Sequence, residues 1–196
     1  MKESNLTYII IIMIIVILIK IYLDADFLKL KCIVSTVDGK KYCVRDRKQS
    51  KQASDLLAKV NKNMQDLADY MEKTYPNREN VKRLVDGYNP KKIVETLPTS
   101  EYTAYSENKG EKLAFCLNRK KGGKKLIDIN TLTFVAIHEM AHIMTVSIGH
   151  TEEFWQNFKF LLENAIDEKI YHPVDYKKNP QPYCGMDITD NPYYDL

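Results

Sequence analysis

The fold is decided by the stretch His138-Glu139-Met140-Ala141-His142, which is followed by Gly149-His150-Thr151-Glu152-Glu153-Phe154-Trp155. Histidines four residues apart on a helix project from the same face, so their two imidazoles can bind one metal ion. This spacing predicts a zinc site in which Glu139 lies beside the water that zinc activates. His150 is the predicted third ligand, and the fourth position stays open for water or substrate, as in a catalytic site.

The flanking sequence predicts that this motif lies in the middle of a helix. Ile127-Asp128-Ile129-Asn130 is typical of a strand end followed by a helix start, where Asp128 or Asn130 can accept hydrogen bonds from free N–H groups. Apolar residues follow at helical spacing, and no Pro or Gly interrupts them before Gly149. The alternative is a buried helix whose histidines only hydrogen-bond to their neighbours.

The HEMAH and GHTEEFW segments together resemble the SprT-like and WLM groups of small zinc metallopeptidases. In those groups HExxH is followed by a Gly-His or Gly-x-His turn and then by an aromatic residue. The resemblance implies an α+β fold, a small zincin domain of the minigluzincin or SprT-like type with a short antiparallel or mixed sheet. It implies that zinc is held by His138, His142 and His150 and that Glu139 is the catalytic acid and base. It also implies that a sheet-edge strand binds a protein or peptide substrate as an extra antiparallel strand.

The chain departs from this pattern in three places. The gap between His142 and Gly149 differs from the shortest WLM spacing, Thr151 replaces a Gly that is common in SprT-like proteins, and no CxxC pair is present for a zinc ribbon. More loosely, the chain is similar to uncharacterised membrane-anchored metallopeptidase-like proteins of large DNA viruses.

Glu163 is a rival for the third ligand, because thermolysin-like enzymes take a Glu about twenty residues after the second histidine. However, Glu163 falls near the edge of the apolar face of a predicted helix over residues 155–165, where a solvated charge is the simpler interpretation. We therefore favour His150.

Residues 6–23 predict one transmembrane helix before the domain. Lys20 is the only charge in this run, and a helix of that length is about 27 Å long, close to the roughly 30 Å of a bilayer core. The alternative is a cleaved signal peptide, but Asp24-Ala25-Asp26 is a poor cleavage site. Lys20, Lys29 and Lys31 lie on the C-terminal side, which favours a single-pass protein with a cytoplasmic catalytic domain.

The four cysteines are too few to indicate a disulfide scaffold; they are Cys32, Cys43, Cys116 and Cys184. Residues 31–37 and 40–45 predict a hairpin around Asp38-Gly39, in which Cys43 lies opposite Val34. Cys32 is then only a diagonal neighbour of Cys43, and a disulfide there needs a change of register. We therefore predict free buried thiols.

Four segments are predicted along the chain: an anchor (1–27), a hairpin or linker (28–48), the zincin-like domain (49–170) and a Pro- and Tyr-rich tail packed on it (171–196). Helices are predicted over 54–75 and 80–86, and strands over 101–106, 112–117 and 125–129. The turn Asn108-Lys109-Gly110 is predicted to join the first two strands. The first helix is predicted to bury one apolar stripe: Leu56, Leu57, Val60, Met64, Leu67 and Met71. The tail is predicted to be irregular, and a Tyr or His172 from it could reach the cleft to stabilise an oxyanion.

A cluster of five cations, Arg119-Lys120-Lys121-Gly122-Gly123-Lys124-Lys125, is either a solvated hairpin tip or a contact for nucleic acid or another anionic surface. The net charge of +3 does not indicate any particular class of binding partner. The prediction is a membrane-anchored, zinc-dependent metallopeptidase that hydrolyses peptide bonds. The alternatives are a non-catalytic zinc-binding structural or interaction module and a protease acting on DNA-bound proteins, as SprT-like and WLM enzymes do.

Overall fold

The computed structural model describes residues 2–24, 30–121 and 123–195. These residues form five α-helices: α1 (Lys2–Asp24), α2 (Ser50–Thr74), α3 (Glu79–Gly87), α4 (Ile129–Met144) and α5 (Glu152–Asp167). They also form seven strands: β1 (Leu30–Val34), β2 (Lys41–Arg45), β3 (Ile93–Glu95), β4 (Ala104–Glu107), β5 (Lys112–Phe115), β6 (Gln181–Tyr183) and β7 (Met186–Ile188). A 3₁₀-helix spans Pro192–Tyr194.

The main sheet is mixed and has the strand order β1-β2-β3-β5-β4. Strands β2, β3 and β5 run parallel to one another, whereas the edge strands β1 and β4 pair antiparallel with β2 and β5. Strands β4 and β5 form the hairpin that the turn Asn108-Lys109-Gly110 predicts. The predicted α+β class with a short mixed sheet is confirmed.

Helices α2 and α4 form the centre of the core. Helix α4 packs against α2, α3 and α5, and twelve of its sixteen residues are buried. Helix α2 buries the predicted apolar stripe except for Leu56, which is only partly buried. Full burial of each such side chain contributes about 1.5–3 kcal/mol, so packing fixes α4 firmly in the core. Helix α2 begins at Ser50 rather than the predicted Ser54, because the buried Ala53 extends its packed face.

The first hairpin differs from the prediction in its turn and its register. Cys32 lies directly opposite Cys43, and the two form a disulfide. The turn is longer than two residues because Asp55 of α2 accepts hydrogen bonds from the Ser35 hydroxyl at 2.7 Å and from the Thr36 amide at 2.7 Å. A second disulfide joins Cys116 to Cys184. The prediction of free thiols is therefore wrong.

The C-terminal segment is more regular than predicted. Its β6–β7 hairpin is bonded through Cys184 to the end of β5, and Tyr171, Tyr176 and Tyr183 are buried. The predicted strand over 125–129 is wrong. It is reduced to a single bridge between Asn118 and Leu126, because helix α4 already begins at Ile129.

Helix α1 corrects the prediction of a membrane anchor. Among its described side chains the apolar run covers residues 8–19, about 18 Å of helix against about 30 Å of bilayer core. No helix in the part of the chain that the structure describes is long and apolar enough to cross a membrane. The prediction of a single-pass membrane protein with a transmembrane helix is therefore wrong, and the predicted orientation no longer has a basis. Lys29, used to predict orientation, lies outside the described residues, as does Gly122.

Candidate active site

Helix α4 carries the two histidines of the HExxH motif. Asp128 caps the helix by accepting a hydrogen bond from the Thr131 amide at 2.9 Å. The motif lies in the C-terminal half of the helix, with His142 in the last turn, whereas the sequence predicted the middle of a helix. The ring centroids of His138 and His142 are 4.9 Å apart. Because both residues lie on the same packed helix, helix geometry brings the two imidazoles to one face of α4.

His150 reaches the same point from the loop over residues 145–151, which we call the third-ligand loop. Gly149 has φ of +87°, a left-handed conformation that glycine adopts without strain, and it turns the chain back toward α4. The Nε2 atom of His150 lies 3.1 Å from Nε2 of His138. One ligand nitrogen from each of the three histidines falls within 4.8 Å of the others, a spacing that could hold a metal ion.

The protonation of the helical histidines fits a metal site. Burial, followed by the nearby His142 and His150, lowers the pKa of His138 from 6.5 to about 3. Burial and His150 likewise lower the pKa of His142 to about 4. Both imidazoles are thus neutral at pH 7 and present free nitrogen lone pairs, as metal binding requires. Three imidazoles with an open fourth position suit zinc.

Glu139 lies beside this cluster and lines the same cleft. Its side chain projects from α4 next to His138, and only 6% of the residue is exposed. Burial raises the pKa of Glu139 from 4.5 to about 8. A buried carboxyl group near three imidazoles is in a position to exchange protons with a reacting molecule in the cleft.

Phe154 of α5 packs against all three imidazoles. Its ring centroid lies 4.9 Å from His138, 4.3 Å from His142 and 4.6 Å from His150. Trp155 follows it and lies 5.6 Å from His150. The aromatic residues after the Gly-His pair therefore restrict the ring orientations of the histidines.

Several residues that hold the third-ligand loop were not predicted. The Lys109 ammonium group donates to the carbonyl oxygens of His142, Thr145 and Ser147. Arg83 donates to the Met144 carbonyl, and Glu153 accepts from the Val146 amide. The contacts of Lys109 and Arg83 join residues far apart in sequence, so periodicity gives no signal for them. The only local hint was the turn Asn108-Lys109-Gly110.

A cleft of about 870 Å³ opens over the histidines. Its walls come from the edge strand β4 with the preceding residues, from α4, from α5, and from the segment that includes β7. Tyr183 lies at its base, where its hydroxyl donates to the Thr103 carbonyl at 3.1 Å. Burial, and next the charge of Glu139, raises the pKa of Tyr183.

The remaining candidates lie elsewhere. Glu163, the rival ligand, is exposed on α5, outside the cleft lining and the histidine cluster. His172 is exposed, and its backbone exchanges hydrogen bonds with the Asn130 side chain. Tyr183 is the tail tyrosine that lines the cleft.

No family model matches the chain. Over 161 residues it is 30% identical to a protein described as "Uncharacterized protein R325" from Acanthamoeba polyphaga mimivirus, covering 80% of this chain and 81% of that protein. The chain belongs to the family of this mimivirus protein. It is also 36% identical to "Uncharacterized protein 042R" of Invertebrate iridescent virus 3 over 100 residues, which are 50% of this chain and 57% of that protein. These relatives are viral, in agreement with the similarity to viral proteins that the sequence indicates.

Among solved structures, the fold is similar to the crystal structure of Wss1 from Saccharomyces cerevisiae, with a TM-score of 0.44 and 13% identity over 63% of this chain and 84% of that one. A Wss1 mutant from S. pombe gives a TM-score of 0.42 and 19% identity over 62% of this chain and 91% of that one.

Proposed function

We propose that this protein is a zinc-dependent peptidase. The observation that carries the proposal is the convergence of His138, His142 and His150 on one point beside the buried Glu139, at the base of an open cleft. A structural zinc site is closed by four protein ligands, whereas three ligands leave a position for chemistry.

The three imidazoles would hold the zinc ion. When bound, zinc supplies Lewis-acid chemistry, since it acidifies a water molecule and polarises a peptide carbonyl. The positive charge of a bound zinc ion would favour the ionised form of Glu139. The carboxylate would accept a proton from the attacking water and then donate it to the leaving amine, so one carboxyl group would act as base and as acid.

The substrate in this proposal is an extended polypeptide bound along β4. This strand ends the sheet order and pairs only with β5 among the described strands. Residues 102–106 line the cleft, so the free edge of β4 lies beside the histidines. Main-chain hydrogen bonds to such an edge hold a peptide whatever its sequence.

Selectivity among substrate side chains is proposed to come from an apolar wall of the cleft beside His138. Phe134 and Val135 lie one turn before His138 on α4, and they line the cleft together with Phe158 and Ile188. Trp155, which is 41% exposed, extends this wall outward. An apolar subsite favours a bulky apolar side chain next to the scissile bond, by about 10- to 200-fold over a smaller one.

The test compares peptide hydrolysis by the zinc-loaded wild type and by Glu139→Gln. The amide has the shape of the carboxylate but cannot take the proton, so we expect zinc binding to persist while the rate falls by at least about 10²–10⁴-fold. Glu163→Gln makes the same chemical change at an exposed position of α5 and is expected to retain full activity. Loss of zinc from Glu139→Gln, or full activity in it, would contradict the proposed role. A wild type that binds zinc but hydrolyses no peptide would favour the non-catalytic module.

A second candidate, a peptidase for DNA-bound proteins, is favoured by the place of the basic segment over residues 119–125. Its lysines 120, 121, 124 and 125 are exposed, and the Arg119 carbonyl accepts a hydrogen bond from Gly185 in the β6–β7 turn at 3.1 Å. The basic segment therefore adjoins the segment that forms one wall of the cleft. Binding to duplex DNA that falls steeply with salt, and that is lost when these four lysines become Gln, is the expected result. Equal binding by wild type and variant would exclude this candidate.

A further inference from the structure

The third-ligand loop is held from outside by one ammonium group. The Nζ atom of Lys109 lies 3.1 Å from the His142 carbonyl oxygen, 2.7 Å from that of Thr145 and 3.1 Å from that of Ser147. An ammonium group has three N–H donors, and here each has a carbonyl acceptor. Two of these acceptors belong to the end of α4, where carbonyls lack helical partners and the helix dipole attracts a cation. The third belongs to the loop itself, three residues before His150.

The conformation of the β4–β5 turn is what brings Lys109 to this place. Asn108 has φ of +46° and Lys109 has φ of +56°, a left-handed conformation that is disfavoured for side chains with a Cβ atom. Backbone strain of this kind persists where the surrounding structure imposes it, and it is concentrated at functional sites.

The surrounding structure imposes it through two glycines. A Cβ atom on Gly110 would lie 2.5 Å from the Gly87 carbonyl oxygen, and one on Gly87 would lie 2.4 Å from the Lys109 carbonyl oxygen. The turn is therefore pressed against the end of α3 with no room for a side chain between them. This contact directs the Lys109 side chain across the end of α4.

The opposite side of the loop is held by different groups. Arg83 donates to the Met144 carbonyl at 2.7 Å, and Glu153 accepts from the Val146 amide at 3.1 Å. Both of these contacts act at the start of the loop. Glu153 also accepts a hydrogen bond from the Ser147 hydroxyl at 3.4 Å. Among these three side chains, Lys109 is the one that belongs to the β4–β5 hairpin, where it follows β4 by two residues and donates to the Ser147 carbonyl.

We infer that Lys109 is a positioning residue for the metal site: it ties the hairpin of the substrate strand β4 to the third-ligand loop and so places His150 against the two helical histidines. The inference rests on the proposed zinc site. Without Lys109 the helical pair keeps its geometry, because α4 is fixed by its own packing, whereas His150 must be ordered at the moment the metal binds. The cost of that ordering appears as weaker metal binding.

The experiment measures zinc affinity of the full chain by competition with a chromophoric chelator. Lys109→Met removes the three donors and keeps an apolar stem. We expect it to weaken zinc binding by about 10- to 100-fold, the range typical of residues that orient metal ligands. Lys109→Arg restores a cationic donor and is expected to bind zinc more tightly than Lys109→Met. Lys112→Met is the matched control, because Lys112 lies on the same hairpin but pairs with Glu107 at 2.8 Å. It is expected to bind zinc like the wild type.

A double-mutant cycle shows whether Lys109 acts through His150. In a His150→Ala background, adding Lys109→Met is expected to have no further effect on zinc affinity, since the ligand that Lys109 positions is gone. A general structural role would instead weaken binding equally in both backgrounds and would overturn the inference. Wild-type affinity in Lys109→Met would also overturn it and leave the zinc site intact. A wild type that binds no zinc would overturn the proposed function and this inference together.

Discussion

Helix α4 and the third-ligand loop supply the same candidate metal site in different ways. The helix is almost wholly buried, and the spacing of His138 and His142 follows from its hydrogen-bonded repeat. The loop is largely exposed at its tip, where Ile148 is 92% exposed, and His150 is exposed as well. Its position depends on polar contacts from α3, the β4–β5 turn and α5.

The difference shows that local helix geometry positions one part of the candidate site and that long-range contacts position the other. Two of the proposed ligands and the proposed general base lie on one helix, which is packed in the core. The loop with the proposed third ligand is held by Lys109 and Arg83, which are distant from it in sequence, as well as by the nearby Glu153. We call α4 with its two histidines the helix side of the site and the third-ligand loop the loop side. Zinc affinity should change little when contacts around the helix side are removed. It should fall with each contact that is removed from the loop side.

The largest expected effect tests the ligands themselves. His138→Ala and His142→Ala each break the helical pair and are expected to abolish zinc binding at neutral pH. His150→Ala leaves the pair intact and is expected to bind zinc weakly, because two imidazoles remain at the correct spacing. Equilibrium dialysis with zinc measures the three affinities. If His150→Ala bound zinc like the wild type while Glu163→Ala did not, the loop would not provide a ligand.

The next effect concerns the cleft wall formed by the C-terminal segment, which is tied to β5 by a covalent bond. The Cys116–Cys184 disulfide spans 68 residues, and replacing both cysteines by Ala is expected to lower the free energy of unfolding by about 4 kcal/mol. The Cys32–Cys43 bond spans 11 residues, and its removal is expected to cost about 3 kcal/mol. Urea unfolding measures both. If removing the Cys32–Cys43 bond lowered the free energy of unfolding more than removing the Cys116–Cys184 bond, native contacts and not loop closure would determine these contributions.

A smaller effect is expected at the start of α4. Asp128→Ala removes the side-chain acceptor for the Thr131 amide and is expected to lower the free energy of unfolding by about 1 kcal/mol. Zinc affinity is expected to stay at the wild-type value, because core packing keeps the helix interior in place. A loss of affinity in this variant would mean that the helix side is as sensitive as the loop side.

The smallest expected effect is a pH dependence of the stability of the third-ligand loop in the metal-free protein. The hydrogen bond from the Val146 amide holds the pKa of Glu153 below its usual value of 4.5. A lowered pKa means that the carboxylate stabilises the folded loop above about pH 4.5 and that this contribution is lost as the pH falls through the folded pKa. Hydrogen exchange at the Val146 amide is expected to lose protection over that range in the wild type. Glu153→Gln is expected to show no such change, and an unchanged wild type would exclude Glu153 as an acid-sensitive support.

The sequence predicted the helix side well because its signals are local. The HExxH spacing, the apolar positions of α4 and the Asp128 cap all depend on residues within a few positions of each other. The β4–β5 hairpin was predicted for the same reason, from its turn residues. His150 was favoured over Glu163 by motif similarity, and the structure places it with the other two histidines.

The errors in the first hairpin and in the disulfides have a long-range cause. The register of the first hairpin is set with Asp55 of α2, and the disulfides join strands and a tail segment that no periodicity relates. Lys109 gave no chemical signal, since an exposed lysine in a turn is ordinary. The membrane anchor was predicted from apolar composition, and the described part of α1 did not bear it out.

The central claim is that one zinc ion at His138, His142 and His150, with Glu139 beside it, makes this protein a peptidase. The most direct measurement is a zinc titration of the metal-free full chain while hydrolysis of an apolar peptide is followed. The account predicts that activity rises linearly with added zinc and saturates at about one zinc per chain, as expected for a single three-ligand catalytic site. Hydrolysis that is independent of zinc, or a chain saturated with zinc that cleaves nothing, would contradict it.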